Sequence, residues 1–165
     1  MPHETAAPHV LVVDDETDLA DEINDYLLAH HFKAQAVSNG EDALQRLDAD
    51  PSISVLLSDI RMPDLNGLEL ADAALSRRTD ANPLEVVMLT GHGTVDDATR
   101  ALRSGAVDFL QKPIALETIA HAVRRAAKAA ADRQARWQEL QSLRLRANGT
   151  AASGSLSPEP DRATG

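Results

Sequence analysis

The chain has 165 residues, no cysteine, 43% hydrophobic but only 2% aromatic residues, and a formal net charge of -10. That length is one ordinary domain with room for extra segments, its core built from Leu, Val, Ile and Ala. The missing cysteines exclude disulfide and thiol chemistry, no apolar run approaches the roughly 18 residues of a membrane span, and the N-terminus lacks a secretory pattern, so a soluble cytoplasmic protein with no membrane partner is expected.

Residues 9–14 are a β-branched apolar run ending in acid, which predicts a buried strand with Asp14 and Asp15 at its C-terminal end. Thr17 is placed to cap a helix over about 18–31, with Leu19, Ile23, Tyr26 and Leu27 at helical spacing. Residues 33–37 form a second, weaker strand. Ser38-Asn39-Gly40 is a turn into a short helix with Ala43, Leu44 and Leu47 inward, and Pro51 ends that unit.

Residues 53–58 are the third strand, with Asp59 at its C-terminal end. A loop over 64–67 leads into a helix through Leu68, Ala71 and Leu75. Residues 84–90 are the fourth strand. Gly91-His92-Gly93 is a flexible turn, Thr94 caps a helix to about residue 104, and residues 106–110 are the fifth strand, followed by Lys112-Pro113. Five alternations of strand and helix with short connections predict an α/β fold, a doubly wound parallel sheet with helices on both faces. In such sheets ligands bind outside the carboxyl ends of the strands. Asp14, Asp15, Asp59, Thr90 and Lys112 all fall at those ends.

Three neighbouring carboxylates repel one another unless a cation sits among them, and oxygen ligands suit a hard ion such as Mg2+. A carboxylate oxygen of Asp59 can act as a nucleophile toward phosphorus and form an acyl phosphate. Lys112 would add positive charge and Thr90 a hydroxyl donor to a phosphoryl oxygen, with small Gly91 leaving room for access.

Taken together, Asp14-Asp15, Asp59 before Met62-Pro63, Thr90-Gly91, and Phe109 ahead of Lys112-Pro113 resemble the motif set of the receiver (CheY-like) domain of bacterial two-component response regulators. The resemblance covers about residues 9–125, and residues 89–93 and 105–113 are most similar to receivers of the nitrogen-regulation and nodulation-regulation classes. It implies a flavodoxin-like (βα)5 fold with strand order 2-1-3-4-5. It also implies Asp59 as the phosphoacceptor, and Asp14, Asp15, Asp59 and the backbone carbonyl of Arg61 as the Mg2+ site. Thr90 and Lys112 would read the phosphate. Phe109 would be the switch aromatic, at a position where the family more often has Tyr. Arg61 and His92, two residues beyond Asp59 and Thr90, would modulate hydrolysis.

Each residue also has a plainer reading. Asp14-Asp15 alone is a turn or helix-start acid pair, Asp59 a loop acid, Thr90 a strand-end cap, Lys112 a solvated lysine and Phe109 a core aromatic. His30-His31 fits a helix C-terminus, where imidazolium suits the macrodipole. No histidine has a partner at metal-ligand spacing.

The charge is split along the chain. Residues 1–113 carry 8 Lys/Arg against 21 Asp/Glu, net -13, whereas residues 114–165 carry 8 against 5, net +3. From Leu116 the sequence is Ala-rich and free of Gly and Pro until Gly149, which predicts a long helix reaching beyond the fifth helix of the fold. A heptad begun at Leu116 puts Leu116, Val123, Ala130, Trp137 and Arg144 at a, and Ile119, Ala126, Arg133, Leu140 and Ala147 at d. That stripe is a candidate dimer seam or coiled coil. The basic outward face is a solvated surface, part of such an extension, or a nucleic-acid surface; the acidic body opposes the last, so no nucleic acid is expected.

The expected organisation is a flexible N-terminus over 1–8, a receiver over 9–125, a helical extension over 126–147 and a disordered tail over 148–165. The leading function is a phosphorylation switch, not an enzyme in the usual sense. A sensor histidine kinase or phosphotransfer protein would serve it as donor, and a downstream protein partner or a homodimer as output. The alternative is the N-terminal input part of a longer regulator with an ATPase, DNA-binding or cyclic-dinucleotide output domain. A phosphohydrolase with an aspartyl-phosphate intermediate is a third reading, weakened because Arg61 stands where an Asp-x-Asp pattern needs its second acid.

Overall fold

Five strands and five helices alternate without exception: β1 (His9–Val13), α1 (Thr17–Ala29), β2 (Lys33–Val37), α2 (Gly40–Ala49), β3 (Val55–Asp59), α3 (Gly67–Ser76), β4 (Glu85–Thr90), α4 (Val95–Arg103), β5 (Asp108–Gln111) and α5 (Leu116–Ala152). The structure is a computed structural model and describes residues 6–152. All strand pairs are parallel and the sheet runs β2-β1-β3-β4-β5. This is the doubly wound, flavodoxin-like order expected from the sequence, and β1 and β3 stand at the point where the winding reverses.

Alternate strand residues feed two cores. Val10, Val12, Val55, Leu57, Val87 and Leu89 pack under α1 and α5, with Ile23, Leu27, Ile119 and Val123. Leu11, Val13, Leu56, Val86 and Met88 pack on the other face with Leu47, Leu70 and Ala101 from the helices there. Burial on both faces is why β1, β3 and β4 read as continuous apolar runs instead of alternating ones. The edge strand β2 is only half-buried, which explains its weaker signal.

Local chemistry sets the helix starts. Asn39 accepts a hydrogen bond from the Asp42 N–H to begin α2, Asn66 accepts one from Leu68 to begin α3, and Thr94 and Asp97 form a reciprocal capping box on α4. Thr17 does not cap α1. It is the first helical residue, and Glu16 at the cap makes no side-chain bond. Instead the Asp14 carboxylate accepts from the Glu16 N–H, because the end of β1 already brings it over that turn. At the other end the His30 Nδ1–H donates to the Tyr26 carbonyl and the ring stacks on that of Tyr26, while His31 takes a left-handed conformation, φ 68°.

Two further expectations need correction. The fifth strand begins at Asp108, because Ala106 N–H is spent on the Ala101 carbonyl at the end of α4. The long helix runs through Ala152, so residues 148–152 are helical and not part of a disordered tail; the rest of the expected tail, and residues 1–5 of the expected flexible N-terminus, lie outside the described residues. Among the described residues no helix is long and apolar enough to cross a membrane.

The candidate seam divides in two. Leu116 is half-buried, Ile119, Val123 and Ala126 are buried against the chain's own sheet face, and Ala130 is buried as well. These residues are therefore unavailable to a second helix. Past the sheet, Arg133 reaches Glu85 at 3.3 Å and Asp80 at 3.8 Å, and Gln134 donates to the Ala81 carbonyl at 2.9 Å. The boundary expected at residue 125 falls inside this packed region. Beyond it Trp137 is half-buried, and Leu140, Leu143 and Leu145 are exposed.

Candidate functional site

The carboxyl ends of β1, β3, β4 and β5 meet at one edge. Asp59, the last residue of β3, is 6% exposed, and Asp14, just past β1, is 1% exposed. Asp15 beside it faces solvent. One carboxylate oxygen from each of the three lies within 4.8 Å of the others. From beyond β5, Lys112 Nζ donates to Asp14 at 2.8 Å and stands 3.5 Å from Asp59 and 3.8 Å from Glu16. The Lys112-Pro113 peptide is cis, and the Lys112 N–H donates to the Thr90 carbonyl at 2.7 Å. The five residues expected at this edge are therefore brought together.

Thr90 ends β4 and is buried. Its hydroxyl oxygen accepts only a long bond from the His92 N–H, 3.4 Å, so its own proton is left to donate elsewhere. Phe109 on β5 is half-buried beside it.

Charge crowding tunes the cluster. Burial pushes the Asp59 carboxyl above its ordinary value; Lys112 opposes this, Asp14 and Asp15 add to it, and the nearby Arg61 backbone N–H partly offsets it. Lys112 sits above the ordinary lysine value. Burial disfavours its charge, but the Asp14 hydrogen bond and the charges of Asp14, Asp59 and Glu16 more than compensate. The donor set is all oxygen, the oxygens converge, and the central carboxylate is under charge stress. Those features fit a hard divalent cation with few protein ligands.

Several contributors escaped the sequence reading. Gly67, the first residue of α3, donates its N–H to the Ile60 carbonyl at 2.8 Å and packs directly on the Asp59 backbone; a Cβ there would lie 2.1 Å from the Asp59 carbonyl oxygen. A glycine directly after the Asn66 cap, where a better helix former is usual, was the available signal. Gly93 matters for space where Gly91 does not. A Cβ at 93 would meet the Phe109 ring and the Thr90 methyl at 3.2 Å, but a Cβ at 91 would only touch Lys112 Cδ at 4.0 Å. Asp64 accepts from the Gly40 N–H at 2.9 Å and so ties the loop after β3 to the start of α2. The Arg61 guanidinium, which the family resemblance implies flanks the acyl phosphate, is turned toward Asp97 on α4, 3.5 Å away.

Comparison with known proteins returns one consistent neighbourhood. The family model described as "Response regulator receiver domain" matches residues 10–124. The C4-dicarboxylate transport transcriptional regulatory protein DctD of Rhizobium meliloti is 35% identical over 122 residues, 74% of this chain and 26% of that protein. The transcriptional regulatory protein FixJ of Bradyrhizobium diazoefficiens is 38% identical over 111 residues, 66% of this chain and 51% of that one. Among solved structures, the beryllofluoride-activated NtrC4 receiver domain dimer superposes with a TM-score of 0.68 at 28% identity, covering 74% of this chain and 98% of that one. The chain thus spans about a quarter of DctD and half of FixJ.

Proposed function

The chain belongs to the response regulator receiver domain family, a family of signalling domains, and on that premise we propose that Asp59 accepts a phosphoryl group and that the surrounding residues read it. The observation that carries the proposal is the buried Asp59 carboxylate, held with Asp14 and Asp15 in one oxygen cluster and faced by Lys112 at 3.5 Å.

In this reading a carboxylate oxygen of Asp59 attacks the phosphorus of a phosphohistidine on a sensor kinase or phosphotransfer protein. The new O–P bond forms as the donor N–P bond breaks, and the imidazole leaves with its electron pair. Asp14, Asp15, Asp59 and the Arg61 carbonyl would hold Mg2+, which when bound neutralises charge on the phosphoryl oxygens. Lys112 needs little movement to ion-pair with the new dianion, since its Nζ already lies between Asp14 and Asp59. Thr90 donates its free hydroxyl proton to a phosphoryl oxygen, and the Phe109 ring follows the space that Thr90 vacates. Arg61 and His92 flank the acyl phosphate and set its lifetime. The intrinsic transfer and hydrolysis make this a self-dephosphorylating switch and not a turnover enzyme.

The output is a protein contact, with a cytoplasmic location and no nucleic-acid or membrane partner. The receiver of NtrC4 forms a dimer when activated by beryllofluoride. Here the far end of α5, with half-buried Trp137 and exposed Leu140, is the part left for a homodimer, because Leu116, Ile119 and Val123 already pack on the sheet and Ala130 is buried. The greater length of DctD and FixJ supports the alternative that the receiver serves as the input domain of a longer regulator.

Calorimetry with magnesium and beryllofluoride tests the site, and light scattering of the same samples tests the output. Binding that requires both magnesium and Asp59 is expected; equal binding by Asp59→Ala would remove the proposal. A chain ending at residue 135 keeps every buried position of α5. If α5 carries assembly, the beryllofluoride-bound full chain is a dimer and that shortened chain a monomer.

A further inference from the structure

The ion pair between Arg61 and Asp97 joins the two elements that the proposed switch must connect. Arg61 lies two residues past Asp59, in the loop that leaves β3. Its side chain turns toward α4. Nη2 stands 3.5 Å from Asp97 Oδ2, with Arg61 62% exposed and Asp97 14%. That same Asp97 oxygen accepts from the Thr94 N–H at 3.3 Å, while the Asp97 N–H donates to Thr94 Oγ1 at 3.1 Å. One carboxylate therefore closes the capping box of α4 and holds the guanidinium of the acceptor loop.

Little else fixes α4. Of its nine residues only Ala101 is buried, and Val95 and Leu102 are 84% and 58% exposed. A helix with so small an apolar footing is sensitive to a single polar tether at its first turn.

We propose that Asp97 is a positioning residue for phosphoryl binding: in the resting chain it draws the Arg61 guanidinium away from Asp59 and ties α4 to the acceptor loop, and a phosphoryl group on Asp59 captures Arg61 and releases α4. This rests on the reading of Asp59 as phosphoacceptor. The physical ground is competition for one exposed cation. Asp97 offers a single carboxylate already shared with the Thr94 N–H, whereas a phosphoryl group brings close to two negative charges and three acceptor oxygens, and Arg61 is attached two residues away. Because Arg61 is largely exposed, the tether is weak and salt-sensitive, as a reversible latch must be.

The capping role and the charge role of Asp97 can be separated. Glutamine is itself a usual third residue of a capping box, so Asp97→Gln keeps the cap and removes the ion pair. Asp97→Glu keeps both. The measurement is magnesium-dependent beryllofluoride affinity in the full chain by calorimetry, with hydrogen exchange of the α4 amides on the same samples. Asp97→Gln is expected to bind about threefold more tightly than the parent at low salt, the difference shrinking in high salt. Asp97→Glu should restore the parent affinity, and in an Arg61→Ala background Asp97→Gln should change nothing. The α4 amides should exchange faster in the parent only after beryllofluoride binds, and in Asp97→Gln before it binds. Parent affinity in Asp97→Gln, or an equal gain with and without Arg61, overturns the latch while leaving the phosphoacceptor intact. No magnesium-dependent binding in the parent overturns both.

Discussion

Replacing Gly67 with alanine tests how the fold holds the acceptor strand. The φ angle at 67 is ordinary, since Gly105 is the only glycine with a positive φ among the described residues, so any effect must come from space. The added Cβ would sit 2.1 Å from the Asp59 carbonyl oxygen, 2.8 Å from Ile60 Cα and 2.9 Å from the Asp59 carbonyl carbon. Carbon–oxygen contacts ordinarily begin near about 3.3 Å, so the start of α3 and the end of β3 must part by roughly 1 Å. Every clashing atom is backbone, so no rotamer change relieves it. Overpacking of this kind costs about 1–3 kcal/mol, and weakening the Gly67 N–H bond to Ile60 adds about 1 kcal/mol. Alanine returns less than its usual helix advantage of about 1 kcal/mol, because position 67 is the first of the helix. The balance is a loss of about 2–3 kcal/mol, or about 4–12 °C in Tm for a chain of this size. Thermal unfolding by circular dichroism reads it, and weaker binding of magnesium with beryllofluoride should accompany it. Gly149→Ala is the control, because its Cβ meets nothing within 4 Å and should not lower Tm. A Gly67→Ala protein that melts within about 1 °C of the parent would refute the close-approach argument.

Charge at the site gives a pH-dependent prediction. Asp59 is raised by burial first, then by Asp14 and Asp15, so its favourable contribution belongs to the protonated form. That contribution is complete below the ordinary carboxylate value and is lost as pH rises through the raised one. At pH 7 without divalent metal, Asp59→Asn should therefore melt about 2–4 °C higher than the parent, with the gain fading in acid; equal melting curves at both pH values would contradict it. At the opposite end of β4, Glu85 is raised mainly by burial, with Arg133 pulling it back. Arg133→Ala should cost about 1–2 kcal/mol in urea unfolding at pH 7.5, and the deficit should shrink as Glu85 is protonated in acid, because a neutral carboxyl no longer needs the guanidinium. A pH-independent deficit would mean lost packing alone. Gly93→Ala should leave stability within about 1 kcal/mol yet shift the Phe109 ring signals in an NMR spectrum, and Gly91→Ala should shift neither. Identical Phe109 signals in both would remove Gly93 from the switch.

The acceptor edge was legible because βα alternation alone sends the end of every strand to one side of the sheet. That rule alone sends Asp14, Asp59, Thr90 and Lys112 to the same edge. Contacts between loops were not legible. Nothing in the spacing of Arg61 and Asp97 predicts that they meet, since their approach depends on how two separate βα turns fold over the edge. The inner half of the candidate α5 seam packs on the chain's own sheet, and the sequence pattern could not distinguish the two for a physical reason. A helix covering a sheet and a helix pairing with another both show apolar residues at three- and four-residue intervals, and over four turns a period of 3.6 cannot be told from 3.5. Ile119, Val123 and Ala126 satisfy either pattern, and only the sheet they pack against decides between the two. Thr17 was mistaken for a cap because the preference for Thr at that position is local, whereas the bond that starts α1 comes from Asp14 at the end of β1.

The most direct test of the central claim is the intact mass of the chain after incubation with acetyl phosphate and magnesium, compared with Asp59→Asn treated in the same way. One added phosphoryl group is expected; it requires magnesium, is released by hydroxylamine as an acyl phosphate must be, and is absent from the variant. An added phosphoryl group that persists in Asp59→Asn, or none on the parent at any donor concentration, would contradict it.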